Sequence, residues 1–146
     1  MNVAFPKAGF LEHIRAVTSE NNIVMIFDET ITGCRFSKGG AQELFGVTPD
    51  LATFGKGIGN GFPLSAVVGK KEIMRLMEDI FYSGTFAGET ISLSAAKVVL
   101  DIIDREDVPS YLASIGEYLI DSVNGLISKY QLEGIVSVVG HPSWSF

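Results

Sequence analysis

Five consecutive apolar residues, Ile23–Phe27, are followed at once by two carboxylates, Asp28 and Glu29. Strands covered on both faces of a parallel sheet carry continuous apolar runs of this kind. In open α/β sheets, functional side chains gather beyond the C-terminal ends of the strands. The pattern therefore predicts a buried strand of an α/β fold, with a candidate functional residue at Asp28.

Asp28 by itself allows three interpretations. It can be an ordinary strand end, a carboxylate that holds Mg²⁺ beside a nucleotide, or a carboxylate that keeps a cofactor cation protonated. The second interpretation, a nucleotide-hydrolysing enzyme, needs a phosphate loop of the form Gly-x-x-x-x-Gly-Lys-[Ser/Thr]. No such loop occurs in the 146 residues, so this interpretation requires a loop in further sequence upstream.

Lys56 stands between two glycines, directly after a second predicted strand at Asp50–Phe54, and Gly59 and Gly61 follow it. Glycines let the backbone approach a ligand closely, and partial desolvation lowers the pKa of a lysine amine, as Schiff-base chemistry requires. As a dinucleotide-binding motif the segment fails, because Phe62 occupies the place of the third glycine. A surface lysine on a flexible turn is the alternative interpretation.

A third group of interest is the run Ser83-Gly84-Thr85, which precedes a predicted helix from about Thr90 to Asp104. Hydroxyl groups beside glycine near a helix N-terminus suit a phosphate group. Such residues also serve as ordinary helix caps. The run alone therefore indicates a phosphate site only weakly.

Composition narrows the class of protein. The net charge is −6 and no run of lysine or arginine occurs, which argues against nucleic acid and anionic membranes as partners. The chain has no apolar run near the roughly 20 residues that span a bilayer, and no cluster of metal ligands. Its single cysteine, Cys34, excludes an internal disulfide and favours the cytoplasm. Because 47% of the residues are hydrophobic, we expect part of the surface to meet protein.

The spacing of apolar residues predicts the organisation of the rest of the chain. Helices are predicted at Gly9–Glu20 and about Ser110–Tyr130, a loop at 30–48, and a strand at Gly134–Val139. The residues between Gly57 and Gly61 are too rich in glycine for regular structure. A change from strand-rich to helix-rich sequence places a domain boundary near residue 105.

Three segments together resemble one family, the class III pyridoxal-phosphate-dependent aminotransferases. Ile26–Gly33 with Arg35 resembles their aspartate strand, Gly40–Ala66 their lysine segment, and Ser83–Gly88 their phosphate-binding turn. The resemblance covers essentially the whole chain, and the three segments occur in the order that is typical of the family. Within the family, the glutamate-1-semialdehyde aminomutase-like branch is the most similar.

The resemblance implies a role for each site residue. Lys56 would carry pyridoxal 5'-phosphate as a Schiff base and then shuttle protons, and a buried Asp28 would pair with the pyridinium nitrogen. Thr30 would lie against the ring face. Thr85, with Gly84, would bind the cofactor phosphate of the neighbouring subunit in a homodimer that shares its active sites.

The resemblance also implies a fold and an activity. Residues 1–104 would be part of the large domain of a fold-type I transferase, with a mixed, mostly parallel sheet, and residues 105–146 the start of a small α+β domain. The reaction would be amino-group transfer between a small amino donor and an oxo or aldehyde acceptor. Glu89, where many relatives have asparagine, favours an aminotransferase over a true aminomutase.

We expect these 146 residues to be a fragment that is inactive alone, because the ring-stacking and phosphate-binding elements of the family lie upstream. A non-catalytic interaction domain that keeps the motifs by descent is a further alternative.

Overall fold

The protein is described here by a computed structural model that covers residues 4–145. Five helices and five strands are bounded as follows: α1 Phe10–Glu20, β1 Ile26–Asp28, α2 Ala41–Phe45, β2 Leu51–Phe54, β3 Ala66–Gly69, α3 Lys71–Met74, α4 Thr90–Glu106, α5 Val108–Lys129, β4 Gly140–His141 and β5 Trp144–Ser145. The α/β class expected from the sequence is confirmed. None of the helices within the described residues is long and apolar enough to cross a membrane.

The main sheet is mixed and has the order β1-β2-β3. β1 and β2 run parallel, with Asp28 opposite Thr53, and β2 and β3 run antiparallel, with Phe54 opposite Ala66. The C-terminal ends of the two parallel strands therefore lie side by side. This edge carries both Asp28 and the segment that leads to Lys56.

The predicted strand at Ile23–Phe27 is shorter than expected and is not buried. β1 begins only at Ile26, and the side chain of Ile26 is 56% exposed. Met25 is buried, and its carbonyl accepts the backbone N–H groups of Asp50 and Leu51. The run is therefore tied to β2 through its backbone, whereas no element of the described residues covers the outer face at Ile23, Val24 and Ile26.

Three other local predictions were wrong. The predicted loop at 30–48 contains the helix α2, and Lys56–Ile58 forms a single 3₁₀ turn within the glycine-rich segment. Gly134–Val139 forms no strand, and among the described residues that follow α5 only β4 and β5 pair as strands. Apolar alternation alone does not make a strand when no neighbouring strand lies beside it to complete the hydrogen bonds.

A buried carboxylate, Asp50, joins α1 to the residues that precede β1 and follow β3. Its oxygens accept hydrogen bonds from the Lys70 ammonium at 2.7 Å, from the backbone N–H of Met25 at 2.8 Å and from the Arg15 guanidinium at 2.9 Å. Lys70 first, and then these other donors, hold the pKa of Asp50 well below its ordinary value. The charge of Asp50 is thus part of the folded structure.

The C-terminal part packs directly against the first part. α4 and α5 are separated by the single residue Asp107, close to the predicted domain boundary, and the β4–β5 hairpin returns to α5 at Gly116. A Cβ atom on Gly116 would lie 1.7 Å from the carbonyl oxygen of Pro142, so only glycine allows this approach. The division into two domains stays a prediction.

Candidate active site

Asp28 ends β1, and its carboxylate is held by two threonines. Its Oδ1 accepts hydrogen bonds from the backbone N–H of Thr30 and from the Thr53 hydroxyl, both at 3.0 Å. The hydrogen bonds from Thr30, then that from Thr53 and the positive charge of Lys56, lower the pKa of Asp28. The carboxylate is therefore an anion at neutral pH. Contrary to the sequence prediction, it is exposed rather than buried.

Lys56 follows β2 by two residues and opens the 3₁₀ turn. Its backbone has a φ of +42°, in the left-handed region that lysine rarely adopts. Such a conformation persists only where the surrounding structure enforces it, and it is most frequent at functional sites. Because Asp28 pairs with Thr53 in the parallel register of β1 and β2, and Lys56 follows Thr53 by three residues, the two predicted site residues lie at the same edge of the sheet.

Thr30 lies between Asp28 and the segment that carries Lys56. Besides donating its N–H to Asp28, it packs so close to Gly55 that a Cβ there would lie 3.2 Å from Thr30 Cγ2. Gly55 thus lets the lysine segment close onto Thr30. Three of the predicted site residues, Asp28, Thr30 and Lys56, are neighbours in the structure.

Glu29 is a structural residue that the sequence analysis left without a role. Its side chain is 1% exposed, and its carboxylate accepts the backbone N–H groups of Ala41 at 2.8 Å and Gln42 at 2.9 Å and a hydrogen bond from the Thr32 hydroxyl. It thereby caps α2. A Cβ on Gly40, whose φ is +82°, would lie 2.6 Å from the Glu29 Oε2 atom. The sequence signal for this role is weak: Gly40 follows Glu29 by eleven residues.

Lys56 lines a cavity of about 540 Å³ between its own loop, α4 and α5. Most of the wall is apolar, and Arg35 and Trp144 also contribute to it. Asp28 lines a different cavity of about 470 Å³, together with Phe5 and Phe10. Lys56 and Asp28 therefore line separate cavities, although both residues lie at the same edge of the sheet.

Gly84 and Thr85 line neither the cavity at Lys56 nor the cavity at Asp28. Both are exposed in the turn before α4, next to Phe81, whose side chain is 96% exposed. The N-terminus of α4 is already occupied, because the Glu89 carboxylate accepts the N–H groups of Ile91 and Ser92 at 2.8 and 2.7 Å. A phosphate would therefore have to be bound by the turn itself and not by the end of the helix.

Two further residues with reactive side chains, His141 and Cys34, are held away from this site's chemistry by their surroundings. His141 stacks on Phe36 at 4.3 Å between ring centroids, and burial lowers its pKa. Cys34 is half-buried, and burial, followed by the charge of Glu29, raises the pKa of its thiol. A thiol with a raised pKa is a poor nucleophile at neutral pH.

The chain is similar to known proteins over most of its length. It is 46% identical over 127 residues to a glutamate-1-semialdehyde 2,1-aminomutase of Methanobrevibacter smithii, and this match covers 85% of the chain but 30% of the relative. The chain thus spans about 30% of the length of this curated relative.

Solved structures of pyridoxal-phosphate-dependent transaminases also superpose well on this chain. An omega-transaminase from Sphaerobacter thermophilus matches with a TM-score of 0.76 at 32% identity, covering 94% of this chain and 32% of that one. A protein from Sphingopyxis sp. MTA144, solved as its pyridoxal-phosphate internal aldimine form, matches with a TM-score of 0.84 at 26% identity, covering 95% and 33%. The profile of the family described as "Aminotransferase class-III" matches residues 1–141. The chain therefore belongs to the class III aminotransferases and has the fold of the pyridoxal-phosphate-dependent transaminases.

Proposed function

We propose that this chain supplies the cofactor-binding centre of a pyridoxal-phosphate-dependent enzyme that transfers an amino group. One observation carries the proposal: Asp28 ends β1, and Lys56 follows the end of the parallel neighbour β2 by two residues, so that a carboxylate and an amine lie at the same edge of the sheet. Membership of the family supports the assignment. The nucleotide-hydrolysing alternative lacks both a phosphate loop and any support from the relatives.

The residues present fit pyridoxal phosphate. Asp28 is charged and exposed, and a carboxylate has acceptor positions beyond the two hydrogen bonds that it receives at Oδ1. It can therefore accept the N–H of a protonated pyridine ring. Lys56 Nζ would form the covalent link, and Thr30 would limit the position of the ring from one side.

When bound, the cofactor supplies a protonated ring that accepts the electron pair left when a proton departs from the substrate's Cα. Asp28 maintains the proton on the ring nitrogen, because its lowered pKa keeps it an anion. Lys56, once released from its covalent link, is the base that takes the Cα proton and returns it. Thr53 and Thr30 hold Asp28 in place during both steps.

Gly84 and Thr85 complete the proposal as the phosphate-binding turn of a second subunit. Their exposure agrees with a role across a two-fold axis. The exposed aromatic side chains on either side of the turn, Phe81, Tyr82 and Phe86, give the turn an apolar surface for a partner. We accordingly propose a homodimer with shared sites.

The substrates we propose are a small amino donor and an oxo or aldehyde acceptor. Glutamate-1-semialdehyde 2,1-aminomutase activity is the second candidate, favoured by the names of the curated relatives. Glu89 does not decide between the two, since its contacts are explained by the cap of α4. The single cysteine continues to favour a cytoplasmic enzyme.

Reconstitution with the cofactor tests the proposal. The full-length product of the gene, mixed with pyridoxal phosphate, should develop the visible absorbance of a lysine-linked cofactor. Lys56→Ala should abolish this band, and Lys71→Ala, which removes an exposed lysine of α3, should leave it unchanged. Absence of the band from the unmodified protein would favour the non-catalytic interaction domain instead.

A further inference from the structure

We propose that Trp144 limits the size of the substrate group that reaches Lys56, and that Arg35 is a positioning residue that holds Trp144 in place. The inference rests on the proposed function and assigns residues to its substrate specificity. Asp28 and Lys56 line different cavities. Asp28 opens on one cavity, and the second, apolar cavity of about 540 Å³ is left for the substrate.

The second cavity has the properties of a small-molecule site. Its volume lies within the range of about 300–1,000 Å³ that is typical of ligand pockets. Apolar side chains of α4 and α5 line one side, among them Val99, Ile103 and Leu112. The loop with Arg35 and Lys56 forms the other side, and the half-buried side chain of Trp144 also faces the space. An indole at this place removes volume that a larger substrate group would need.

The position of Trp144 depends on contacts made by the loop that follows Asp28. Trp144 belongs to a hairpin of two-residue strands, and so small a hairpin is not stable by itself. Arg35 Nε donates a hydrogen bond to the carbonyl oxygen of Ser143 at 2.5 Å, across 108 positions of sequence. Ser143 is 3% exposed whereas Arg35 is exposed, so this bond is partly buried.

Two further contacts fix the hairpin on its other sides. Phe36, next to Arg35, stacks on His141. Pro142 lies directly against Gly116 of α5, and the space for a Cβ atom is already filled. The β4–β5 hairpin therefore has no room to move towards α5. The hydrogen bond from Arg35 to Ser143 then determines how closely the hairpin approaches the loop that carries Lys56. A lysine in place of Arg35 keeps the charge but lacks the planar Nε donor.

The first test compares amines of two sizes. A primary amine can displace Lys56 from the cofactor: a new bond forms between the amine nitrogen and the cofactor's carbon, the bond to Lys56 Nζ breaks, and the two protons of the amine end on Lys56 Nζ, without oxidation or reduction. The rate constants for methylamine and benzylamine are followed by absorbance in the full-length holoenzyme. Trp144→Ala should raise the benzylamine-to-methylamine ratio by about tenfold or more, the usual size of steric discrimination in an apolar pocket. Trp144→Phe should raise the ratio less.

Arg35→Lys should raise the same ratio in part, and it should have no further effect in a Trp144→Ala background, because Arg35 acts through Trp144. Tyr118→Ala, an exposed aromatic residue of α5, and Arg75→Lys, an exposed arginine, are the matched controls and should leave the ratio unchanged. A ratio within twofold of the unmodified protein in both Trp144 variants would overturn the size limit. Additive effects of the two substitutions would overturn the role of Arg35.

The second test needs neither cofactor nor turnover. Fluorescence of Trp144, isolated by subtracting the spectrum of Trp144→Phe, should become more accessible to acrylamide in Arg35→Lys and stay unchanged in Arg75→Lys. Unchanged quenching in both variants would contradict the positioning role. If methylamine fails to displace Lys56 in the unmodified protein, the proposed function fails and the size limit fails with it, whereas displacement with an unmoved ratio refutes only the present inference.

Discussion

Thr53 donates a hydrogen bond from its hydroxyl to Asp28 Oδ1 at 3.0 Å, across the parallel pair of β1 and β2. This contact joins the strand that ends in the carboxylate to the strand that leads to Lys56. It stabilises the charged form of Asp28 and thereby lowers its pKa. The distance between the two proposed catalytic residues is thus set by the sheet itself.

Thr53→Val keeps the shape of the side chain and removes the donor. The pKa of Asp28 should rise towards its ordinary value, because a hydrogen bond to the charged form is lost. The acid limb of amino transfer should move to higher pH accordingly. Carbon-13 NMR titration of the carboxyl group, assigned with Asp28→Asn, measures the change, and Thr48→Val is the matched control. An unmoved titration would show that Thr53 has no influence on Asp28.

Asp28→Asn should leave the link to Lys56 intact and nearly abolish turnover. The neutral amide does not hold the proton on the ring nitrogen, so the ring accepts electrons less well. We expect kcat to fall roughly 100-fold or more, as when one pre-organised electrostatic partner is removed from an active site. Absorbance of the bound cofactor and steady-state kinetics measure the two effects. The exposed Asp121→Asn serves as control, and full activity in Asp28→Asn would remove this carboxylate from the mechanism.

Asp50 should make the fold sensitive to acid. The pKa of Asp50 is lower in the folded state than in the unfolded state. Asp50 therefore adds its full share to the free energy of unfolding at any pH above its ordinary pKa. This share is lost as the pH falls through the ordinary pKa towards the lower pKa of the folded state. Asp50→Asn should reduce the free energy of unfolding at neutral pH by about 1–3 kcal/mol, the usual cost of an impaired buried hydrogen-bond network. Urea unfolding at pH 7 and at successively lower pH checks that the difference shrinks with acidity. Asp104→Asn, on an exposed ion pair, should show little change.

Complementation tests the shared site. Mixed dimers of an inactive Lys56→Ala chain and an inactive Thr85→Asp chain place both defects in one site and leave the other intact if Thr85 acts across the two-fold axis. Activity should then return towards one functional site per heterodimer. Heterodimers that form without activity would place Thr85 in its own subunit's site.

The sequence predicted Asp28 and Lys56 at or just beyond strand ends, and the structure has them there, whereas several of the local predictions were wrong. The roles of the site residues stay predictions. The proposed chemistry requires Asp28, Lys56 and the glycines in this order, and short motifs in the sequence show such residues directly. The bounds of β1 and the exposure of Ile26 depend on what packs against them, and a local apolar run carries no information on that. The same holds for Glu29, whose partners in α2 are twelve or more positions away.

The contact between Arg35 and Ser143 had no sequence signal at all, because 108 positions separate its two ends. Pairings of this kind follow from the fold and not from a local pattern. Gly116 is a similar case, since a helical glycine is informative only once the hairpin is seen against it.

The covalent link to Lys56 is the central claim, and borohydride reduction of the reconstituted full-length protein tests it most directly. Reduction makes the link between cofactor and lysine permanent, and peptide mapping by mass spectrometry then locates it. We expect the phosphopyridoxyl group on Lys56, and its loss in Lys56→Ala. A label on Lys38, Lys70 or Lys71, with Lys56 unmodified, would contradict the account.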